Sequence, residues 1–405
     1  MRTRQDLISP PRLRQLEEAD GDRHASWLEL FFDLVFVIAV AELGRLLHED
    51  LSVAGFATFV ALFVPVWWVW LSFAYYADLF DTDDLVFRVA LMAGMLGSLV
   101  LAASIGQAIG ETSIAFAATN AALQALLVAL YAYARRGGTA DVRRLCTRYV
   151  LGFALGGAIW LASLLLPAPG RYVLWAVALA AEIATPLLAY LTLRVPPAHA
   201  SHLPERLGLF TLIVLGESII AVAMGTTETG WALPSTSIAV LGFVAAGCLW
   251  WVYFDHVDES VISRAVATNR RAVIRGFAYG YGHLPIFAGL AAAGVGVESA
   301  IEHASDNALE AGARAALCGG VAVYLLALTA SNLVVGQVLS RPVLAARLAV
   351  AALGVVLMLI GGWLSPLALV SVLGGGLVLL TLVEVVHPAP ISARRSQRMA
   401  TSDAG

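Results

Sequence analysis

Twelve stretches of about twenty largely apolar residues follow one another along this chain, and that pattern decides the fold class. A bilayer core of about 30 Å is crossed by about 20 residues in helical form, because each backbone amide must find its partner within the segment. The stretches fall near 27–47, 54–76, 85–106, 114–134, 146–166, 171–193, 203–224, 232–254, 272–296, 309–334, 343–364 and 366–386. Of the 405 residues, 60% are hydrophobic and 13% charged, whereas soluble domains hold about 45–50% and about 25%. The expectation is an all-α polytopic membrane protein whose constant partner is the lipid bilayer. A net charge of −4 with no basic stripe argues against nucleic acid. Cys146, Cys248 and Cys318 are scattered and unpaired in spacing, so neither a disulfide framework nor a paired-cysteine metal site is indicated.

Arginine, which supplies all 25 basic residues, orients the bundle. Arg2, Arg4, Arg12, Arg14 and Arg23 precede the first helix, and Arg135, Arg136, Arg143 and Arg144 join the fourth to the fifth. Arg264, Arg270 and Arg271 lie between the eighth and ninth, Arg341 and Arg347 between the tenth and eleventh, and Arg394, Arg395 and Arg398 close the chain. The alternate loops carry almost none, so positive-inside asymmetry puts both termini in the cytoplasm. The polar segment 1–26 is too long for a signal peptide and reads as a cytoplasmic tail, with a second tail at 387–405.

A twofold repeat runs through the helices. Trp67-Trp68-Val69-Trp70 recurs 183 residues later as Trp250-Trp251-Val252-Tyr253, each followed by acids and then by an arginine, Arg88 and Arg275. Glu29 and Glu205 open the first and seventh helices. Six helices separate equivalents, so 27–194 and 195–386 are expected to be parallel six-helix repeats about an axis along the membrane normal. Indoles also anchor helix ends independently, which is the plainer account of the Trp pairs.

The run E-L-F-F-D-L-V-F-V-I-A-V-A-E-L at Glu29–Leu43 and E-R-L-G-L-F-T-L-I-V-L-G-E-S-I-I at Glu205–Ile220 resemble the bacterial low temperature requirement A family. The resemblance, supported by the Trp pairs and the helix count, covers nearly the whole chain. It implies a membrane protein connected with growth in the cold, and it transfers no biochemical activity.

Charge inside the spans marks the candidate sites, because a carboxylate at mid-bilayer costs about 2.5–3.5 kcal/mol on insertion scales. Glu29 and Asp33 share a face of the first helix; Asp33 sits about 9 Å in from Trp27. Arg88 is their expected partner and Arg275 that of Glu205, as structural or gating ion pairs. Glu42 is expected to pair with Arg45. Glu182, in the sixth helix ahead of Thr185 and Pro186, and Glu217, about 21 Å along the seventh beside Ser218, are the acids hardest to explain by structure. In the ninth, G-F-A-Y-G-Y-G-H-L-P alternates glycines with Tyr279, Tyr281 and His283, which suggests a broken helix lining a cavity. A hydrogen-bonded structural role is the plainer reading of His283. Asn120, Gln124, Asn332 and Gln337 read as interhelical glue, and Gly374-Gly375-Gly376 as a point of close approach.

No enzymatic motif, cofactor fingerprint or metal signature stands out: His48-Glu49 lacks a second histidine, and Glu217, Ser218 and His283 are the only conceivable catalytic set. The favoured expectation is a transporter or channel-like protein of the bacterial plasma membrane. It would move a small solute or ion, with a proton or cation coupled through Glu182, Glu217 and His283. The alternative is a non-transporting sensor, scaffold or lipid-interacting factor that supports growth in the cold.

Overall fold

The computed structural model describes residues 11–13, 26–81, 84–193, 203–255 and 270–387. Most of the N-terminal tail, the C-terminal tail beyond residue 387 and the loop holding Arg264 lie outside these residues. Twelve long helices account for nearly all of the described chain. They are α1 (Trp27–Glu49), α2 (Val53–Leu79), α3 (Leu85–Ser104), α4 (Ser113–Gly137), α5 (Ala140–Ser163) and α6 (Gly170–Leu193). They continue as α7 (Leu203–Glu228), α8 (Leu233–Phe254), α9 (Arg270–Glu302), α10 (Ala311–Val334), α11 (Arg341–Ile360) and α12 (Pro366–Val386). Eleven of them, all but α1, are long and apolar enough to cross a membrane. The exception matches them in length, with 23 residues, but carries Glu29, Asp33, Glu42 and Arg45 along its course.

Local chemistry sets several helix ends. Asp84, Thr139, Ser340 and Ser365 each accept a backbone amide three residues on, the usual device for satisfying a helix's first donors. The turn at Gly361–Trp363 is a short 3-10 segment between α11, of 20 residues, and α12, of 21. Arg12–Leu13 pairs antiparallel with Phe80–Asp81, which puts this part of the N-terminal tail beside the α2–α3 turn.

Two compact units divide the chain. The first takes in Met1–Leu46, Ala57–Phe210 and Ile262–Phe277; the second takes in Leu47–Phe56, Thr211–Val261 and Ala278–Gly405.

Within each unit glycines set how closely helices approach. In the first, a methyl group at Gly156 of α5 would lie 2.4 Å from Cγ of Glu182, and one at Gly152 would lie 2.0 Å from Oγ1 of Thr185. Gly152 and Gly156 therefore form the small-residue face against which α6 rests. In the second, a methyl at Gly289 of α9 would come within 2.8 Å of the Gly320 carbonyl oxygen on α10, and one at Gly296 within 2.2 Å of the Leu317 amide. A π turn, Ala315–Gly319, occupies that crossing.

This corrects the expectation for α9. It runs unbroken for 33 residues with Pro285 inside it, and of the motif's glycines Gly282 sits against α10, where a methyl group would lie 2.7 Å from Oγ of Ser331. The run Gly374-Gly375-Gly376 marks close approach at one position: a methyl group at Gly376 would lie 3.0 Å from Cδ2 of Leu353 on α11, whereas methyl groups at Gly374 and Gly375 would meet nothing within 4 Å.

Candidate functional site

Asp33, 2% exposed, is neutralised inside the first unit. Both its oxygens face the guanidinium of Arg206 on α7: Nη2 donates to Oδ1 in a short bond, and Nε donates to Oδ2 at 3.3 Å. The Trp70 indole of α2 adds a third donor to Oδ1 at 2.8 Å. The arginine expected here from sequence was Arg88; the one that meets Asp33 is Arg206, four residues into a helix that runs beside α1. Phe36 and Phe210 touch one level deeper, with ring centroids 6.4 Å apart, so α1 and α7 run in the same direction. Glu29 takes the Ser26 hydroxyl at 2.8 Å instead of an arginine. Arg275 is exposed and makes no ion pair with Glu205 among the described residues. Glu42 does accept from Arg45, at 2.9 and 3.0 Å.

Glu182 is wholly buried in the same unit. Gln124 of α4 donates to its Oε2 at 2.7 Å, and the Trp160 indole of α5 donates to Oε1 at 3.0 Å. Gly156 makes the room for it. The glue role expected of Gln124 thus has a specific object, whereas Asn120 turns back to the Phe116 carbonyl of its own helix.

In the second unit His283 is 1% exposed and its two ring nitrogens have separate partners. Nδ1 lies 2.8 Å from the Tyr279 carbonyl, and Nε2 lies 3.0 Å from the Tyr253 hydroxyl. A carbonyl only accepts, so Nδ1 carries the proton and Nε2 accepts from Tyr253. Thr211 of α7 in turn bonds the Tyr253 hydroxyl. The Tyr279 ring stands edge-on to the imidazole at 4.6 Å. Tyr281 is half-buried two residues earlier, about 200° around the helix from His283. A second buried ion pair joins Arg347 of α11 to Glu384 of α12 at 2.6 Å, with Arg347 also donating to the Val252 carbonyl. Arg347 is therefore an interior residue and not the loop arginine its position suggested.

Glu217 differs from all of these. It is half-buried, lies midway along α7, and no described residue donates a hydrogen bond or opposes its charge. Its neighbour Ser218 bonds the Val214 carbonyl within α7 and rests against Gly294 of α9. Gly294 is eleven residues beyond His283, about 16 Å along the helix, so Ser218 and His283 are not brought together.

Asp33 and Glu182 were visible as charges in apolar runs, but their partners were not. Arg206 stands beside the more conspicuous Glu205, and Trp70, Trp160 and Tyr253 are indistinguishable in sequence from core aromatics. Only Gly152-x-x-x-Gly156, one helix before Glu182, was a readable hint.

Comparison with known proteins bears on the whole chain. The family described as bacterial low temperature requirement A protein matches residues 24–383. An uncharacterized protein of Rhizobium meliloti (strain 1021) is 31% identical over 299 residues, which cover 71% of this chain and 72% of that protein. No solved structure matches.

Proposed function

The chain belongs to the bacterial low temperature requirement A protein family, a family of multi-pass membrane proteins by its apolar helices, and on that premise we propose that it is transporter-like or channel-like. In this reading it resides in the bacterial plasma membrane with both termini in the cytoplasm. It moves a small solute or ion, with a proton or cation exchanged at a membrane-embedded carboxylate. The observation that carries the reading is Glu217. Intramembrane acids kept for architecture are paired, as Asp33, Glu182 and Glu384 are here. Glu217 has no such partner among the described residues and borders open space at Gly216. An acid left in that state at mid-depth is the usual mark of an ion or proton pathway.

Parallel six-helix repeats are part of the same reading, and two contacts support them. Trp70 of α2 donates to Asp33 of α1, and the corresponding Tyr253 of α8 bonds Thr211 of α7. The residues match in order along both halves, and the two helices that open the halves run in the same direction, as a repeat axis along the membrane normal requires.

The test is reconstitution into liposomes with pH- and cation-sensitive dyes. Wild type is expected to dissipate an imposed gradient, and Glu217→Gln to lose most of that flux while remaining folded. One observation favours a second reading, a non-transporting scaffold, sensor or lipid-interacting factor: Asp33, Glu182 and His283 are each closed within their own hydrogen bonds. Absence of flux from wild type under every gradient would overturn the transporter reading and shift the balance to that alternative.

A further inference from the structure

The last turn of α1 and the last two turns of α9 bring together three side chains that the reading above does not use. His48 sits at the end of α1; Glu298 and Glu302 lie one turn apart on α9, so both carboxylates leave the helix on one face. Nδ1 of His48 is 3.6 Å from Oε2 of Glu298, and Nε2 is 3.3 Å from Oε2 of Glu302. One ligating atom from each of the three residues lies within 4.8 Å of the other two. All three side chains are about a quarter exposed, so water and ions reach them.

From this geometry we infer a binding site for a first-row divalent metal ion, with His48, Glu298 and Glu302 as its protein ligands. Imidazole suits zinc and its neighbours, carboxylate suits manganese, and one of the former with two of the latter fits ions of that group. Two glutamates and a neutral imidazole supply two negative charges against a dication. Ligands held about 2.0–2.2 Å from a tetrahedral zinc stand roughly 3.3 Å apart; one ring nitrogen of His48 would ligate, and the chosen atoms of the three residues, within 4.8 Å of one another, would draw in to that spacing around the ion. Nδ1 of His48 is shielded from solvent and has no hydrogen-bond partner, an arrangement that a bound ion or a small rotation toward it would resolve. Three protein ligands leave a coordination position for water. The ion would clasp the end of α1 to the end of α9.

His303 offers an internal control. It is adjacent to Glu302 in sequence, but its Nδ1 bonds the Ser299 carbonyl and it lies outside the cluster.

The experiment uses the full chain in detergent, without an affinity tag and stripped by chelator, titrated calorimetrically with Zn2+ and with Mn2+. One ion is expected to bind per chain and to raise the melting temperature, since an ion that binds only the folded state stabilises it. Glu302→Gln, which keeps the side chain's size, and His48→Ala are each expected to weaken binding by more than about tenfold. His303→Ala is expected to leave it unchanged. Absence of stoichiometric binding to wild type would overturn the site and leave His48, Glu298 and Glu302 as a side-chain contact between the two helices. Binding that survives both His48→Ala and Glu302→Gln, or that His303→Ala abolishes, would also overturn it. A Glu302→Gln protein that elutes as a monodisperse species and no longer binds separates lost ligation from lost folding.

Discussion

Glu182 in the first unit and Glu217 in the second are both acids deep in membrane-length helices, yet they are served in opposite ways. Around Glu182 the structure is complementary: Gly156 is hollowed to admit it, and Gln124 and Trp160 aim donors at separate oxygens. Around Glu217 nothing among the described residues is aimed at all. Asp33 belongs with Glu182, since Arg206 and Trp70 satisfy both of its oxygens. The difference teaches that a charge inside a span is not in itself a functional mark. What separates architecture from chemistry is whether the neighbours have been built to hold it.

That contrast can be broken experimentally, and the largest effect should come from the ion pair. Arg206→Ala strands a buried carboxylate, and removal of one partner of such a pair typically costs about 3–5 kcal/mol. The folded yield and the unfolding midpoint in detergent should both fall sharply. Arg206→Lys should recover only part of the loss, because an ammonium cannot serve both oxygens of Asp33 as the guanidinium fork does. A wild-type midpoint for Arg206→Ala would remove Asp33 from the architectural class.

Next comes the Glu182 pocket. Glu182→Ala leaves the Gln124 and Trp160 donors without acceptors in a dry interior, a loss of about 1–3 kcal/mol for each orphaned group. Gly156→Val attacks the same pocket from the other side. Its new side chain would have to occupy space now held by Cγ and Oε1 of Glu182, and overpacking of this kind costs about 1–3 kcal/mol. If the two losses share one cause, the double variant should be less destabilised than the sum, which a thermodynamic cycle would show.

A smaller effect is expected in the second unit at Tyr253→Phe. The hydroxyl that donates to Nε2 of His283 and meets Thr211 disappears while the ring contacts remain, and each such bond contributes about 0.5–1.5 kcal/mol. Melting measurements on the folded variant would check it. A loss of several kcal/mol would mean that His283 anchors more than its own hydrogen bonds.

How much of this could be read from sequence follows from what kind of signal each feature leaves. Helix number and position were legible, since twenty apolar residues admit little but a spanning helix. The Glu42–Arg45 pair was legible too, being a contact within one turn of one helix. Long-range pairing was not. Asp33 and Arg206 are 173 residues apart, and Arg88 lay closer to hand on paper because it enters its helix at the same end. The glycines of α9 misled for a related reason. A glycine that breaks a helix and a glycine that lets another helix approach look alike in sequence, and at Gly282 only Ser331 on the facing helix reveals which it is. Gly374-Gly375-Gly376 shows the converse, a glycine run in which only Gly376 meets a neighbour, Leu353.

The smallest predicted effect on stability is also the one that separates the two classes of acid most cleanly. Glu217→Gln should shift the unfolding midpoint by no more than a surface substitution does, within about 0.5 kcal/mol, because no partner is lost. Glu217→Leu should be neutral or stabilising, since it removes the cost of holding a carboxyl among apolar neighbours without orphaning a donor. Unfolding of both variants beside Glu182→Leu makes the comparison internal, as Glu182→Leu removes a similar acid but strands two donors. If Glu217→Leu proved as damaging as Glu182→Leu, Glu217 would be bound by interactions of the architectural kind, and the argument for an exchange site at that position would fall with it. If Glu217→Leu is stable and its liposome flux is lost, the acid is dispensable for folding and required for movement, which is the separation that marks a pathway residue.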